Sequence, residues 1–239
     1  MRAQIISDTH FEFLKDKSQS FIDSLPTDCD VLILAGDISV LRNKSTSYIS
    51  NLCSKFPKVF YVLGNHEYHR ANNYAAEQIV NSLKQANSNL SILNNDVEEY
   101  LGKRFLGTTL WFPCSHETLL YEDSFIDFLS IMESPNWIYD QHKKAMDFLG
   151  SNIKQGDIVI SHHLPSYKCI SPQWISSDLN CYFACNADAL FNLKPSFWIH
   201  AHSHEPLDMV IKKTRIIRNP YGYKHYGENP NWQPLILDL

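Results

Sequence analysis

No apolar run in the sequence approaches the roughly 18 residues of a membrane span, which excludes a transmembrane helix. There is no surplus of basic residues either. Lys and Arg number 21 against 26 Asp and Glu, a formal net charge of −5. The strongly basic footprint of a chain that grips nucleic acid is therefore missing, though local basic patches remain compatible with that balance. Internal repeats and low-complexity tracts are absent. With 44% hydrophobic and 20% charged residues, the composition sits too near the globular average for collagen, coiled coil or long disorder. The N-terminus meets Asp8 after only two consecutive isoleucines and shows no apolar leader core, so a cytoplasmic location is the expectation. In that compartment Cys29, Cys53, Cys114, Cys169, Cys181 and Cys185, irregularly spaced, are expected to be thiols. Cys169, Cys181 and Cys185 could join His116 or His225 in a metal site. Their spacing matches no zinc signature, and buried thiols are the expectation.

What the chain does have is histidine: 11 in 239 residues, six of them in or beside short motifs. Clustered histidines near aspartates point to metal. The length suits one α/β domain, and residues 1–239 are expected to form it. Continuous apolar runs such as Asp30–Ala35, Lys58–Leu63 and Asp157–Ser161 predict strands buried on both faces. Gln4–Ser7, Leu90–Leu93, Glu98–Leu101, Arg104–Trp111, Phe197–His200, Met209–Ile211, Arg215–Ile217 and Leu235–Leu237 complete the predicted strands. Helical spacing predicts helices over Ser45–Lys55, Asn73–Ala86, Phe125–Met132, Gln141–Leu149 and Asn186–Leu193, with another ending at Phe21–Leu25. Strands alternating with helices at both ends imply βαβ units around a mixed sheet, with a second sheet packed on it. Cys114–Asn136, polar, aromatic and irregular, is expected to be an insertion, its aromatic residues either core or pocket wall.

Five predicted strands each deliver a metal-competent side chain at the carboxyl end: Asp8 and His10, then Asp37, then Asn65 with His66, then His162 and His163, then His200, His202 and His204. That edge is where open α/β sheets bind ligands. Asp8 with His10, and His202 with His204, are two apart, which in extended chain puts each pair on one side. Asp and His suit borderline divalent ions such as Zn, Mn and Fe(II). Seven ligands exceed one tetrahedral site, so two ions about 3.5–4 Å apart are expected, able to clamp phosphoryl oxygens. Asp37, alone on its strand, is the natural bridging carboxylate. Gly36 and Gly64 let the backbone turn sharply there.

The order D-x-H, G-D, G-N-H-E, H-H, H-x-H resembles the calcineurin-like metallophosphoesterase superfamily. Gly107–Trp111, Ser161–Ser166, Trp198–His204 and Arg218–Tyr223 are similar to segments of its small, cap-less bacterial and phage members. The resemblance implies a four-layer α/β/β/α sandwich with two mixed sheets. It implies one metal held by Asp8, His10, Asp37 and His204, and a second by Asp37, Asn65, His162 and His202. The ions would be Mn, Fe or Zn, with Mn or Fe favoured. A metal-bridging hydroxide would attack a phosphate mono- or diester, most simply a small molecule, and His66 would protonate the leaving group; the bland reading of His66 is a structural ring orienting Asn65 or an aspartate. His163 and His200 are expected behind the ligands or against the substrate. Two departures stand out: Ala201 replaces the glycine usual before the last H-x-H, and Tyr221 stands where relatives carry arginine. The alternatives are a nuclease on DNA or RNA, and a non-catalytic scaffold on the same fold. Against the scaffold, Gly64–Glu67 is intact.

Overall fold

The computed structural model describes residues 1–14, 17–70 and 73–239. Its first half runs β1 (Arg2–Ile6), α1 (Phe11–Leu14), α2 (Lys17–Ser24), β2 (Val31–Leu34), α3 (Asn43–Cys53), β3 (Val59–Tyr61), α4 (Asn73–Ala86), β4 (Leu90–Ile92), β5 (Asp96–Tyr100) and β6 (Lys103–Thr108). Its second half runs α5 (His116–Leu120), α6 (Ile126–Ser130), α7 (Asn136–Asn152), β7 (Ile158–Ser161), β8 (Phe197–Ile199), β9 (Leu207–Ile211), β10 (Thr214–Arg218) and β11 (Leu235–Asp238). One sheet has the order β11-β1-β2-β3-β4 and the other β5-β6-β7-β8-β10-β9. In the first, only β11 is antiparallel to its neighbour. In the second, β5 and β9 are the antiparallel edges of a parallel centre. Both sheets are mixed, as expected.

The strand period sorts each apolar run between two cores. Val31, Ile33 and Ala35 pack inward with Ile158 and Ile160 of the opposite sheet, where the Phe60 ring stacks on Phe105 at 4.2 Å. Leu32 and Leu34 point outward to Ile49 and Leu52 of α3 and Ala76 and Leu83 of α4. On the far side Val159 meets Ala145 and Leu149 of α7. The result is helix, sheet, sheet, helix. Among the described residues no helix is long and apolar enough to cross a membrane.

The differences from expectation lie outside the long periodic elements. The helix expected over 141–149 begins at Asn136. The strand expected over 104–111 stops at Thr108, because Leu110 and Trp111 take positive φ of 71° and 52°. The helix expected over 186–193 is a 3₁₀ helix, Asp188–Leu193. The stretch 114–136 is not irregular. It holds α6, inside the helix expected over 125–132, and the unexpected α5, five residues long and too short to show a period. A capping box opens α5, Ser115 Oγ accepting from Thr118 N at 3.2 Å and Thr118 Oγ1 from Ser115 N at 2.8 Å. Phe125 then stacks on Tyr182 at 3.8 Å, anchoring the stretch to residues 171–183.

Candidate metal centre

The carboxyl ends of β1, β2, β3, β7 and β8 meet at one edge of the two packed sheets. Asp8 N donates to Gly36 O and His10 N to Asp37 O, each at 3.0 Å, which ties the first two loops together. Ala201 N donates to His162 O at 2.9 Å and ties the last two. Asp8, His10, Asp37 and His202 all sit at positive φ, between 45° and 68°. Such backbone costs about 1–3 kcal/mol per residue and collects at functional sites. Gly36, at φ 95°, could carry no side chain: a Cβ there would lie 2.3 Å from His162 Nδ1. A Cβ on Gly64 would lie 2.2 Å from Asp37 Oδ1.

Two groups of ligand-type atoms result. In one, His10 Nε2 faces His204 Nε2 at 3.3 Å, with Asp8 Oδ1 3.7 Å from His204 Nε2. In the other, His162 Nε2 lies 3.0 Å from Asn65 Oδ1 and 3.1 Å from His202 Nδ1. Asp37 reaches both, Oδ2 lying 3.8 Å from His10 Nε2 and Oδ1 3.4 Å from His162 Nε2. Tautomers follow from the partners. His162 Nδ1 faces Ala35 O at 2.9 Å and His204 Nδ1 faces Glu228 Oε2 at 2.6 Å; both partners are acceptors, so both Nδ1 atoms carry the proton. Their Nε2 lone pairs therefore point at other ring nitrogens, an arrangement that a divalent cation between them satisfies. These residues fit two such ions.

Electrostatics agree with that fit. Burial pushes His10 and His202 down, toward the neutral form that binds metal. Burial opposes a charge on His162 too, but Asp37 outweighs it and lifts the ring to about 9. The carboxylate that draws a proton there would draw a cation. His66 Nδ1 lies 3.1 Å from Glu12 Oε1 and its Nε2 3.2 Å from Tyr223 Oη. Burial again disfavours the charge, yet Asp37 and Glu12 raise His66 to about 9. Burial would raise Glu12, but His10 and His66 hold its carboxyl at about 2.

Four carboxylates in this framework escaped the motif reading as functional groups. Glu67 accepts from Tyr61 Oη at 2.6 Å and from the backbone N of Asp37, Ile38 and Gly64 at 3.0, 2.7 and 2.7 Å, clamping two loops. Asp127 Oδ1 accepts from Asn65 Nδ2 at 2.9 Å and His69 Nε2 at 2.8 Å, which turns the Asn65 carbonyl toward His162. Glu228 fixes His204, and Glu12 fixes His66. Glu67 lies inside the G-N-H-E motif and could have been noticed. Asp127 comes from the presumed insertion, and Glu12 and Glu228 carry no motif.

All seven expected ligands and His66 come together. His163 packs at a tilt against His202, 4.3 Å between centroids, and donates through Nδ1 to Thr109 O at 3.1 Å, behind the ligand ring. His200 is wholly buried, its Nδ1 3.3 Å from the neighbouring Ala201 carbonyl. Tyr221 points away from the site, packed on Phe21 at 4.6 Å and Trp232 at 5.2 Å. All six cysteines are free; Cys169 and Cys185 are buried thiols pushed by burial up to about 12. Among the described residues no candidate metal group includes a cysteine. From the centre opens a cavity of about 360 Å³, walled by α6 and residues 164–183.

Two mixed sheets between helices, with histidines and carboxylates gathered at the strand ends, define a metal-binding α/β class. The chain belongs to the calcineurin-like phosphoesterase family, matched over residues 1–206. Members of that family hydrolyse phosphoesters with divalent metal ions. The chain is similar to Uncharacterized protein L509 of Acanthamoeba polyphaga mimivirus, 25% identical over 260 residues, 95% of this chain and 92% of that one. In fold it is similar to the phosphopantetheinyl hydrolase of Mycobacterium tuberculosis, with TM-score 0.79 and 15% identity over 98% of this chain and 95% of that one.

Proposed function

We propose that residues 1–239 act as one catalytic domain, a binuclear metal-dependent hydrolase of phosphate mono- or diesters. The observation that carries this reading is the shared reach of Asp37, one carboxylate facing both ligand groups. Asp8, His10, Asp37 and His204 would hold one ion, and Asp37, Asn65, His162 and His202 the other, with Mn or Fe favoured over Zn. Two bound cations would supply Lewis acidity toward phosphoryl oxygens and activate water as the nucleophile. The chain's own residues do the rest. Asp127 fixes the Asn65 amide so that its carbonyl faces His162. Glu12 holds His66 at Nδ1, leaving Nε2 to hold a proton beside Tyr223 and deliver it to the departing oxygen. The free cysteines support a cytoplasmic location. The deciding experiment measures metal content together with hydrolysis of a chromogenic phosphate monoester and phosphodiester. A metal-free or inert protein would favour the scaffold reading.

The Asp127 contact makes a graded prediction. Asp127→Ala frees the Asn65 amide, and loss of such a support weakens metal binding roughly 10–100-fold. The Mn concentration for half-maximal activity should rise by that factor, with most of the rate recovered at saturating metal. An unchanged activation curve would show that Asn65 needs no such anchor.

The final H-x-H sets a second comparison. His202→Ala and His204→Ala each remove a proposed ligand and should largely destroy activity and lower bound metal. His200→Ala removes a ring that faces only its neighbour's carbonyl, so its loss should stay within about 10–100-fold, with metal content intact. Equal loss of metal in His200→Ala and His204→Ala would reverse the assignment.

A further inference from the structure

We propose that the ester hydrolysed at this centre carries an uncharged, mainly apolar organic group, an alkyl or aryl alcohol rather than a nucleotide or polyphosphate. This rests on the phosphoesterase reading above and deepens it. The cavity leading from the centre measures about 360 Å³, the size that takes a small organic ligand. Phe125, Ile126, Ile170, Trp174, Leu179 and Phe183 supply much of its wall. Ile126 is 58% exposed, Trp174 53% and Leu179 42%, so apolar surface stands in water around the cavity until a ligand covers it.

The wall is built rather than loose. Trp174 Nε1 and Gln173 Nε2 donate to Glu205 Oε1 at 2.7 and 2.8 Å, one residue beyond His204. Asn180 Nδ2 donates to Trp174 O at 2.8 Å. Beneath them the buried Arg218 donates to Glu205 O, to Cys169 O at 3.3 Å and to Ser171 Oγ at 3.2 Å, which fastens the wall to the metal loop. Arg218 is thereby consumed and is not among the residues lining the cavity.

Charge selects in the same direction. Among the described residues that line the cavity there is no lysine or arginine, while Glu205 and Glu228 both line it. Glu205 accepts from Ser203 Oγ at 2.7 Å as well as from Trp174 and Gln173, which fixes its carboxylate in the wall. A second anionic group on the substrate, beyond the phosphate held at the centre, would meet these carboxylates with no lysine or arginine along the wall to offset them.

The test uses the full, Mn-loaded chain and p-nitrophenyl phosphodiesters whose second group is methyl, butyl, pentyl, hexyl or 4-carboxybutyl. The leaving group is constant, so differences in kcat/KM report the second group. Burying each added methylene should raise kcat/KM about two- to fourfold until the cavity is filled. The 4-carboxybutyl ester should fall at least about tenfold below the pentyl ester. Leu179→Asp and Ile126→Asp, at exposed wall positions where folding is not at stake, should flatten the series. Glu205→Gln should narrow the gap between the pentyl and carboxybutyl esters. Turnover with a flat series, or with the carboxybutyl ester as good as pentyl, would overturn this inference and leave the phosphoesterase reading standing. No turnover of any ester in the series, methyl included, and none of p-nitrophenyl phosphate would overturn the phosphoesterase reading itself.

Discussion

Asp37→Asn is expected to bind fewer than two metal ions per chain and to lose more than about 10³-fold in turnover. The two oxygens of this carboxylate face different ligand groups, one toward His10 and the other toward His162. Every other ligand in the proposal is assigned to one ion alone. An amide keeps the shape and one oxygen, so it can still accept from His66 N, which lies 2.9 Å from Asp37 Oδ1. It loses the charge and the second oxygen that a shared ligand needs. The backbone is held independently by Glu67, which accepts from the N–H groups of Asp37, Ile38 and Gly64. The variant should therefore melt near the parent temperature in the absence of metal, separating lost chemistry from lost fold. Metal analysis after gel filtration and steady-state rates check the expectation. Two tightly held ions with near-normal turnover would remove Asp37 from the bridging role and with it the main support for a binuclear centre.

His66→Ala should lose roughly 10²–10⁴-fold on esters with a poor leaving group and far less on a p-nitrophenyl ester. An alkoxide is a strong base and needs a proton as it departs, whereas p-nitrophenolate leaves unaided. The geometry favours this role over a structural one. Glu12 engages Nδ1, so Nε2 is free to carry the transferable proton, and it meets the phenol oxygen of Tyr223 at 3.2 Å in the wall of the cavity. His66 also forms a third cluster of ligand-type atoms with His10 and Asp37, so it could itself contact a bound ion. Metal content is thus the control: it should stay near the parent value. An equal loss on both kinds of ester, or parallel loss of metal, would assign His66 to positioning phosphate or supporting the ions, and the acid would lie elsewhere.

The parts of the site that were legible in sequence share one physical property. Asp8, His10, Asp37, Asn65, His66, His162, His202 and His204 each follow directly on an apolar run long enough to show its period. Once those runs are strands of a common sheet edge, the residues after them must converge. The strands themselves were legible for the same reason: Val31–Leu34, wholly buried on two faces, has no polar residue to give it a different environment. Elements without a period escaped. The five-residue α5 is defined by a capping box that needs the third dimension to be seen, whereas α6 lies within the helix expected over Phe125–Met132. The helix expected over 186–193 has helical spacing but tightens to 3₁₀ over six residues and ends at Lys194 in the left-handed region, where φ is 61°.

By itself, then, the sequence determined the class of fold, the two-sheet core and which residues are candidates for ligands, because hydrophobic periodicity and residue chemistry are local properties. Tertiary structure alone decided how those ligands are oriented and what surrounds them. Asp127 reaches Asn65 across 62 positions, Glu228 reaches His204 across 24 and Glu12 reaches His66 across 54. A carboxylate's partner is set by where the chain returns, and no local pattern encodes that. The cavity likewise arises only when α6 and residues 164–183 close over the strand ends, held by a buried arginine whose partners are two carbonyls and a hydroxyl. Hydrogen bonds between distant segments are worth forming only after the hydrophobic cores have brought those segments together, so the support of the centre and the character of its pocket belong to the packed molecule.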